Sequence, residues 1–139
     1  MLKNIILSVA ISLTTFSQLS FAAPVVTDSV ALMQSVLQQE RQWAGLESKT
    51  IKVGDTSFAY SEGGAKDAPT VLLIHGFSGS RDNWNRIAHK LTKKYHVVAL
   101  DLPAHGDTVA PANFGYQLAD LSDAVRQFVL ALGIQKDLH

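Results

Sequence analysis

The sequence contains no cysteine. Disulfide bridges, thiolate zinc sites, a cysteine nucleophile and lipid attachment at an export cut are therefore excluded together. An excess of charge is also missing. The 12 Lys and Arg are balanced by 12 Asp and Glu, so net charge draws the chain neither to nucleic acid nor to an anionic membrane. Internal repeats and low-complexity tracts are absent. What is present is 47% hydrophobic residues in a chain of 139. That is enough for a packed core and for one modest domain, and too little for two.

The N-terminus has the tripartite pattern of an export signal. "MLKN" carries one positive charge, "IILSVAISL" is a short apolar core, and Ser20 and Ala22 are small residues at −3 and −1 of a cut between Ala22 and Ala23. The core is shorter than the ~20 residues of a membrane span. The expectation is a cleaved signal over 1–22, a mature chain without an integral span, and a secreted or periplasmic location.

Residues 27–43 show apolar Val30, Met33 and Leu37 at i, i+3 and i+7, with Thr27 or Asp28 as cap and Gly45 as terminator. This predicts an amphipathic helix within a pre-domain segment 23–48, its stripe laid on its own domain. "KTIKV" and "TSFAYSEG", joined by Gly54-Asp55, predict a hairpin. "TVLLI" and "YHVVAL" read as strands buried on both faces, with "RDNWNRIAHKLTKK" as a helix between them. That helix is expected to be capped by Ser80 or Asp82 and to bury Trp84, Ile87, Ala88 and Leu91. The unit predicts two parallel strands with a right-handed crossover. A last helix is expected over 117–132, burying Leu121, Val125, Phe128 and Leu132, with Gly133 after it. The fold class is α/β, an antiparallel opening hairpin followed by parallel strands with flanking helices, in an incomplete sheet.

The chemistry-bearing stretch is "HGFSGS", 75–80, at the carboxyl end of the first parallel strand, where open α/β sheets bind ligands. Its glycines, Gly76 and Gly79, fail the G-x-G-x-x-G pattern of dinucleotide binding and lack the Lys of a phosphate loop. Gly76-Phe77-Ser78-Gly79-Ser80 also misses a nucleophile elbow by one residue, since position 80 is Ser where G-x-S-x-G needs Gly. The later acids and histidines do not fall where strand ends would deliver a base and an acid to Ser78. His89, His96 and His105 have no metal-ligand spacing, so no metal is expected.

The order strand, His-Gly-x, helix with an early Trp, and then "DLPAHGDT" resembles the α/β-hydrolase superfamily over 49–139, and within it exported bacterial triacylglycerol lipases and carboxylesterases. The resemblance implies that Phe77 donates its backbone N–H to an oxyanion, that His75 and Gly76 support that loop, and that Ser78 and His105 are pocket-lining. It implies ester hydrolysis through a serine acyl-enzyme, with no cofactor and a small-molecule or lipid ester as partner. "DLPAHGDT" departs from the family turn D-x-x-G-x-G-x-S/T at Ala104, where glycine is common. The nucleophile, acid and base are expected after His139, making the 139-residue chain an inactive N-terminal fragment that exposes apolar sheet edges. Epoxide hydrolases, dehalogenases and carbon–carbon bond hydrolases share such loops and stay open as readings, as does a non-catalytic pseudo-enzyme or binding module.

Overall fold

A computed structural model describes residues 28–136, so the export signal and its cut lie outside the described residues. Helix α1 (Ser29–Trp43) is capped by Asp28, whose Oδ1 accepts from the Val30 and Ala31 N–H groups. Strands β1 (Leu46–Val53) and β2 (Thr56–Gly63) form the hairpin through Gly54 and Asp55, with Val53 opposite Thr56. Strand β3 (Thr70–Ile74) leads through a loop and a 3-10 helix (Arg81–Trp84) into α2 (Asn85–Leu91), then strand β4 (His96–Leu100) and helix α3 (Leu118–Leu132).

The four strands form one sheet in the order β1-β2-β4-β3. β2 pairs antiparallel with β1 and β4, while β3 and β4 pair parallel in register, Thr70 opposite His96 and Ile74 opposite Leu100. The period of two along each strand sorts side chains between the faces. Val98 and Leu100 join Phe58 and Tyr60 on one face, where they meet Phe128 of α3. The Phe128 ring centroid lies 5.3 Å from Phe58 and 5.4 Å from Tyr60. Val97 faces the other way, toward Ala44, Leu46 and Ala88. β4 is buried throughout.

Four expectations need correction. β3 is only half-buried over Val71–Leu73, because among the described residues it is an edge strand of the sheet. Helix α1 does not bury its apolar stripe: Val30 is 62% and Met33 59% exposed. It is held instead by polar and aromatic contacts. Arg41 makes a two-pronged ion pair with Asp82, with Nε and Nη2 each 2.6 Å from a carboxylate oxygen. Trp43 stacks on His89 at 4.0 Å, and His89 Nδ1–H donates to the Trp43 carbonyl. Ile87 is exposed, while Asn85 takes a buried place on the same helix. In α3 the fully buried positions are Ala124, Phe128 and Val129, with Leu121, Val125 and Leu132 half-buried, so the buried face is rotated from the predicted one. Gly133 follows at φ 70, the left-handed conformation of a helix C-terminus.

Candidate active site

Parallel pairing carries β3 and β4 to the same edge of the sheet, so the loops at 75–80 and 101–108 emerge side by side. The first begins with a tight turn in which the Gly79 N–H donates to the Gly76 carbonyl at 3.1 Å. Ser78, third in the turn, has φ 55. Gly79 is packed on the His75 side chain: an added Cβ would lie 3.0 Å from His75 Cβ, a tight contact to which the imidazole would have to yield. Ser80 ends the loop as the cap of the 3-10 helix, with its Oγ accepting from the Asp82 N–H and its own N–H donating to Asn83 Oδ1. Of the two predicted caps, Ser80 takes that role and Asp82 pairs with Arg41.

His75 is buried, whereas Phe77 is 98% exposed. His75 Nδ1 lies 2.8 Å from the Gly76 carbonyl, and His75 Nε2 accepts the Leu102 N–H at 3.0 Å. Among the described residues the Phe77 N–H meets no acceptor. Ser78 is exposed, and the two imidazoles of this region are engaged elsewhere. His105 is half-buried, with Nδ1–H donating to the Pro103 carbonyl at 3.0 Å and its ring 5.0 Å from that of His75. An open apolar groove of about 370 Å³ lies beside the loops, lined by Ile74, Leu102, Leu118, Leu121 and Val125. A larger, polar cleft of about 580 Å³ between α1 and β1 touches no residue of 75–80. The apolar groove is not lined by a residue of 75–80 either, but it starts at Ile74, the residue before the turn, and its apolar lining rather than its size makes it the relevant one.

The second loop is organised by Asp101, whose side chain is fully buried. Its carboxylate accepts the Arg81 N–H at 2.6 Å and the Asp107 N–H at 3.0 Å, and pairs with the Arg81 guanidinium. Arg81 Nη2 reaches Asp107 as well, at 2.6 Å. Thr108 Oγ1 donates to the Asp101 carbonyl and accepts the Ala59 N–H, which fastens the loop to β2. Gly106 has φ 51, and a Cβ there would lie 2.1 Å from Asp101 Oδ2. Ala104 also adopts a positive φ, 63, so the alanine in the glycine-favouring position keeps the turn at the cost of backbone strain. Arg81, Asp101 and Leu102 were not singled out from sequence as site residues. Asp101 opens the "DLPAHGDT" turn, but the partners that give these residues their roles lie 20 to 27 residues away in sequence.

The charges flanking the loops are held by their partners. Burial pushes the Asp82 carboxyl up, but the hydrogen bond and charge of Arg41 outweigh it and hold Asp82 below the usual carboxylate range. Arg41 is correspondingly held in its charged form by Asp82. Among the described residues no group of three His, Asp or Glu side chains is placed to hold a metal ion. His89 lies on Trp43, and His96 sits between Thr70 and Glu62, away from His105.

A four-stranded mixed sheet with flanking helices and a His-Gly-x turn at a parallel strand end matches part of the α/β-hydrolase fold. The chain belongs to that family, with lipase-like relatives. The model described as alpha/beta hydrolase fold matches residues 69–136. Lipase 1 of Psychrobacter immobilis is 33% identical over 113 residues, covering 80% of this chain and 35% of that protein. The solved structure of lip1, a candidate lipase from Acinetobacter baumannii AYE, is 54% identical with a TM-score of 0.72, covering 73% of this chain and 34% of that one. That of a membrane phospholipase A is 43% identical with a TM-score of 0.73, covering 76% and 34%. The chain thus spans about a third of the length of these relatives. Among the described residues no helix is long and apolar enough to cross a membrane.

Proposed function

We propose that this chain supplies the oxyanion side of a carboxylic ester hydrolase, a lipase or carboxylesterase working through a serine acyl-enzyme. The observation that carries the reading is the turn at 76–79. Its Gly76 carbonyl is tied back, its Phe77 N–H faces no acceptor among the described residues, and an apolar groove lies alongside. A donor fixed in this way stabilises charge that appears only in the transition state, an effect of about 3–4 kcal/mol per donor. On this reading the Phe77 amide is one of two such donors, and its ring faces the acyl chain. His75 and Gly76 support the loop, and Ser78 and His105 line the approach. Serine acyl transfer calls for no cofactor.

The serine, base and acid belong, on this reading, to the part of the relatives' length that this chain does not span. Residues 49–139 by themselves then hold no complete triad and turn over no ester. The segment 1–22 would direct export and 23–48 precede the domain, bringing the enzyme to extracellular or periplasmic lipid esters. The lipase relatives favour esters over epoxides or haloalkanes as substrate class.

Substitution of Phe77 tests the reading in the complete enzyme. A positive φ at the third residue of a turn is the type II pattern, which accepts proline at the second position. Phe77→Pro therefore deletes the N–H while suiting the turn, and kcat on a soluble p-nitrophenyl ester should fall about 100- to 1,000-fold. Phe77→Ala keeps the N–H and should stay within about tenfold of the parent. Equal activities of the two variants would refute the assignment.

A further inference from the structure

The outward side of α1 is apolar and finds no partner in its own domain. Leu32, Val36 and Trp43 recur at i, i+4 and i+11, which sets them within about 40° of one another around the helix. Met33 lies beside them. All four are exposed, Leu32 at 51% and Trp43 at 57%. The helix meets its domain with the other side, where Leu37 is half-buried and Arg41 pairs with Asp82. Between Lys3 and Glu40 the only charged residue is Asp28, the cap of the helix.

This apolar row adjoins a basic surface. Trp43 stacks on His89 of α2 at 4.0 Å. Around His89 in sequence stand Arg86, Lys90, Lys93 and Lys94, all exposed. No acidic residue occurs between Asp82 and Asp101. Among the described residues these four cations make no ion pair. Helix α3, on the other face of the sheet, carries Asp120 and Asp123 against Arg126 alone. The chain is neutral overall, but its charge is sorted by face.

We infer that the outer faces of α1 and α2 form a docking surface for an anionic phospholipid bilayer. Leu32, Val36 and Trp43 enter the boundary between headgroups and acyl chains, and the cations of α2 meet the phosphates. Tryptophan suits that boundary, since its ring is apolar and its N–H needs a wet partner. The charges decide among possible occupants. A second copy meeting this face across a two-fold axis would set cation against cation. Further polypeptide packed over it would bury four cations without partners, at a large cost. At a membrane, by contrast, lysine keeps its ammonium among the headgroups while its stem covers apolar surface. Docking is independent of the Phe77 reading, because it is measured by binding and not by turnover.

Flotation of the complete enzyme with lipid vesicles provides the test. Vesicles of equal parts phosphatidylcholine and phosphatidylglycerol should carry the parent protein, and pure phosphatidylcholine should carry it more weakly. Combining Lys90→Gln, Lys93→Gln and Lys94→Gln should weaken binding to the mixed vesicles about 100-fold and leave binding to phosphatidylcholine unchanged. Leu32→Ser with Val36→Ser should weaken binding to both vesicle types about tenfold. Both variants alter exposed side chains only, so their melting temperatures should match the parent's. Brominated acyl chains should also quench a tryptophan signal that Trp43→Phe lacks. Failure of the parent to float would show the row covered within the complete enzyme. Parental binding by either variant would place the contact elsewhere in the chain. A dimer split by the Leu32 and Val36 changes would assign the row to a second copy. Each of these three results would overturn the inference, as would an unquenched Trp43.

Discussion

The loop after β4 closes around a buried carboxylate, whereas the loop after β3 leaves its turn in the open. In the first, Asp101 gathers two backbone N–H groups and a guanidinium, and Thr108 fastens the end to β2. In the second, Phe77 and Ser78 are exposed and the Phe77 N–H has no acceptor among the described residues. The difference shows how one sheet edge provides both rigidity and reactivity. Buried charges leave a loop few alternative conformations, because any other arrangement strands them without partners. A turn that must present a donor to a ligand cannot satisfy that donor internally. It is held instead from behind, through His75 to Leu102 and through Ser80 and Arg81 to the 3-10 helix.

Removing the carboxylate should erase the contrast. Asp101→Ala leaves the Arg81 guanidinium buried with only Asp107 to pair, and should cost about 3–5 kcal/mol. Urea unfolding of the protein measures this, and a loss below 1 kcal/mol would show that the second loop is held by something else.

A smaller change weakens the exposed loop where it enters the 3-10 helix. Asp82→Asn removes the charged partner of Arg41 and should cost about 1–2 kcal/mol near neutral pH. The folded carboxyl titrates below its unfolded value, so the Asp82 contribution is complete above the unfolded pKa. It fades as pH falls from there through the folded pKa. Stability curves of parent and variant should therefore converge on acidification below the ordinary carboxylate range. Parallel curves throughout that range would contradict the assignment.

The smallest effect sharpens the comparison by relaxing the second loop further. Ala104 holds φ 63, a conformation glycine adopts without steric cost. Ala104→Gly should stabilise the protein by up to about 1 kcal/mol, less the entropy that glycine adds to the unfolded chain. Calorimetry would register a small rise in Tm, and a clear fall would mean the turn carries no strain.

The element order was legible in sequence because hydrophobic period and turn residues act locally. The hairpin at Gly54-Asp55, the buried run of β4, the Asp28 cap and the Gly133 terminator all follow from a few adjacent residues. Burial was less legible. The stripe of α1 has the right period yet stays exposed, and β3 has the composition of a central strand yet lies at an edge, since period and composition do not specify which neighbour arrives.

The candidate site divides along the same line. That the glycine-rich turn sits at a parallel strand end, and that Ser78 lacks the elbow glycine, are matters of sequence, because backbone conformation there depends on residue type. That His75 bridges Gly76 and Leu102, that Arg81 and Asp101 meet in the core, and that Phe77 is left open depend on the tertiary structure. These contacts join groups up to 27 residues apart, brought within hydrogen-bonding distance only when β3 and β4 pair.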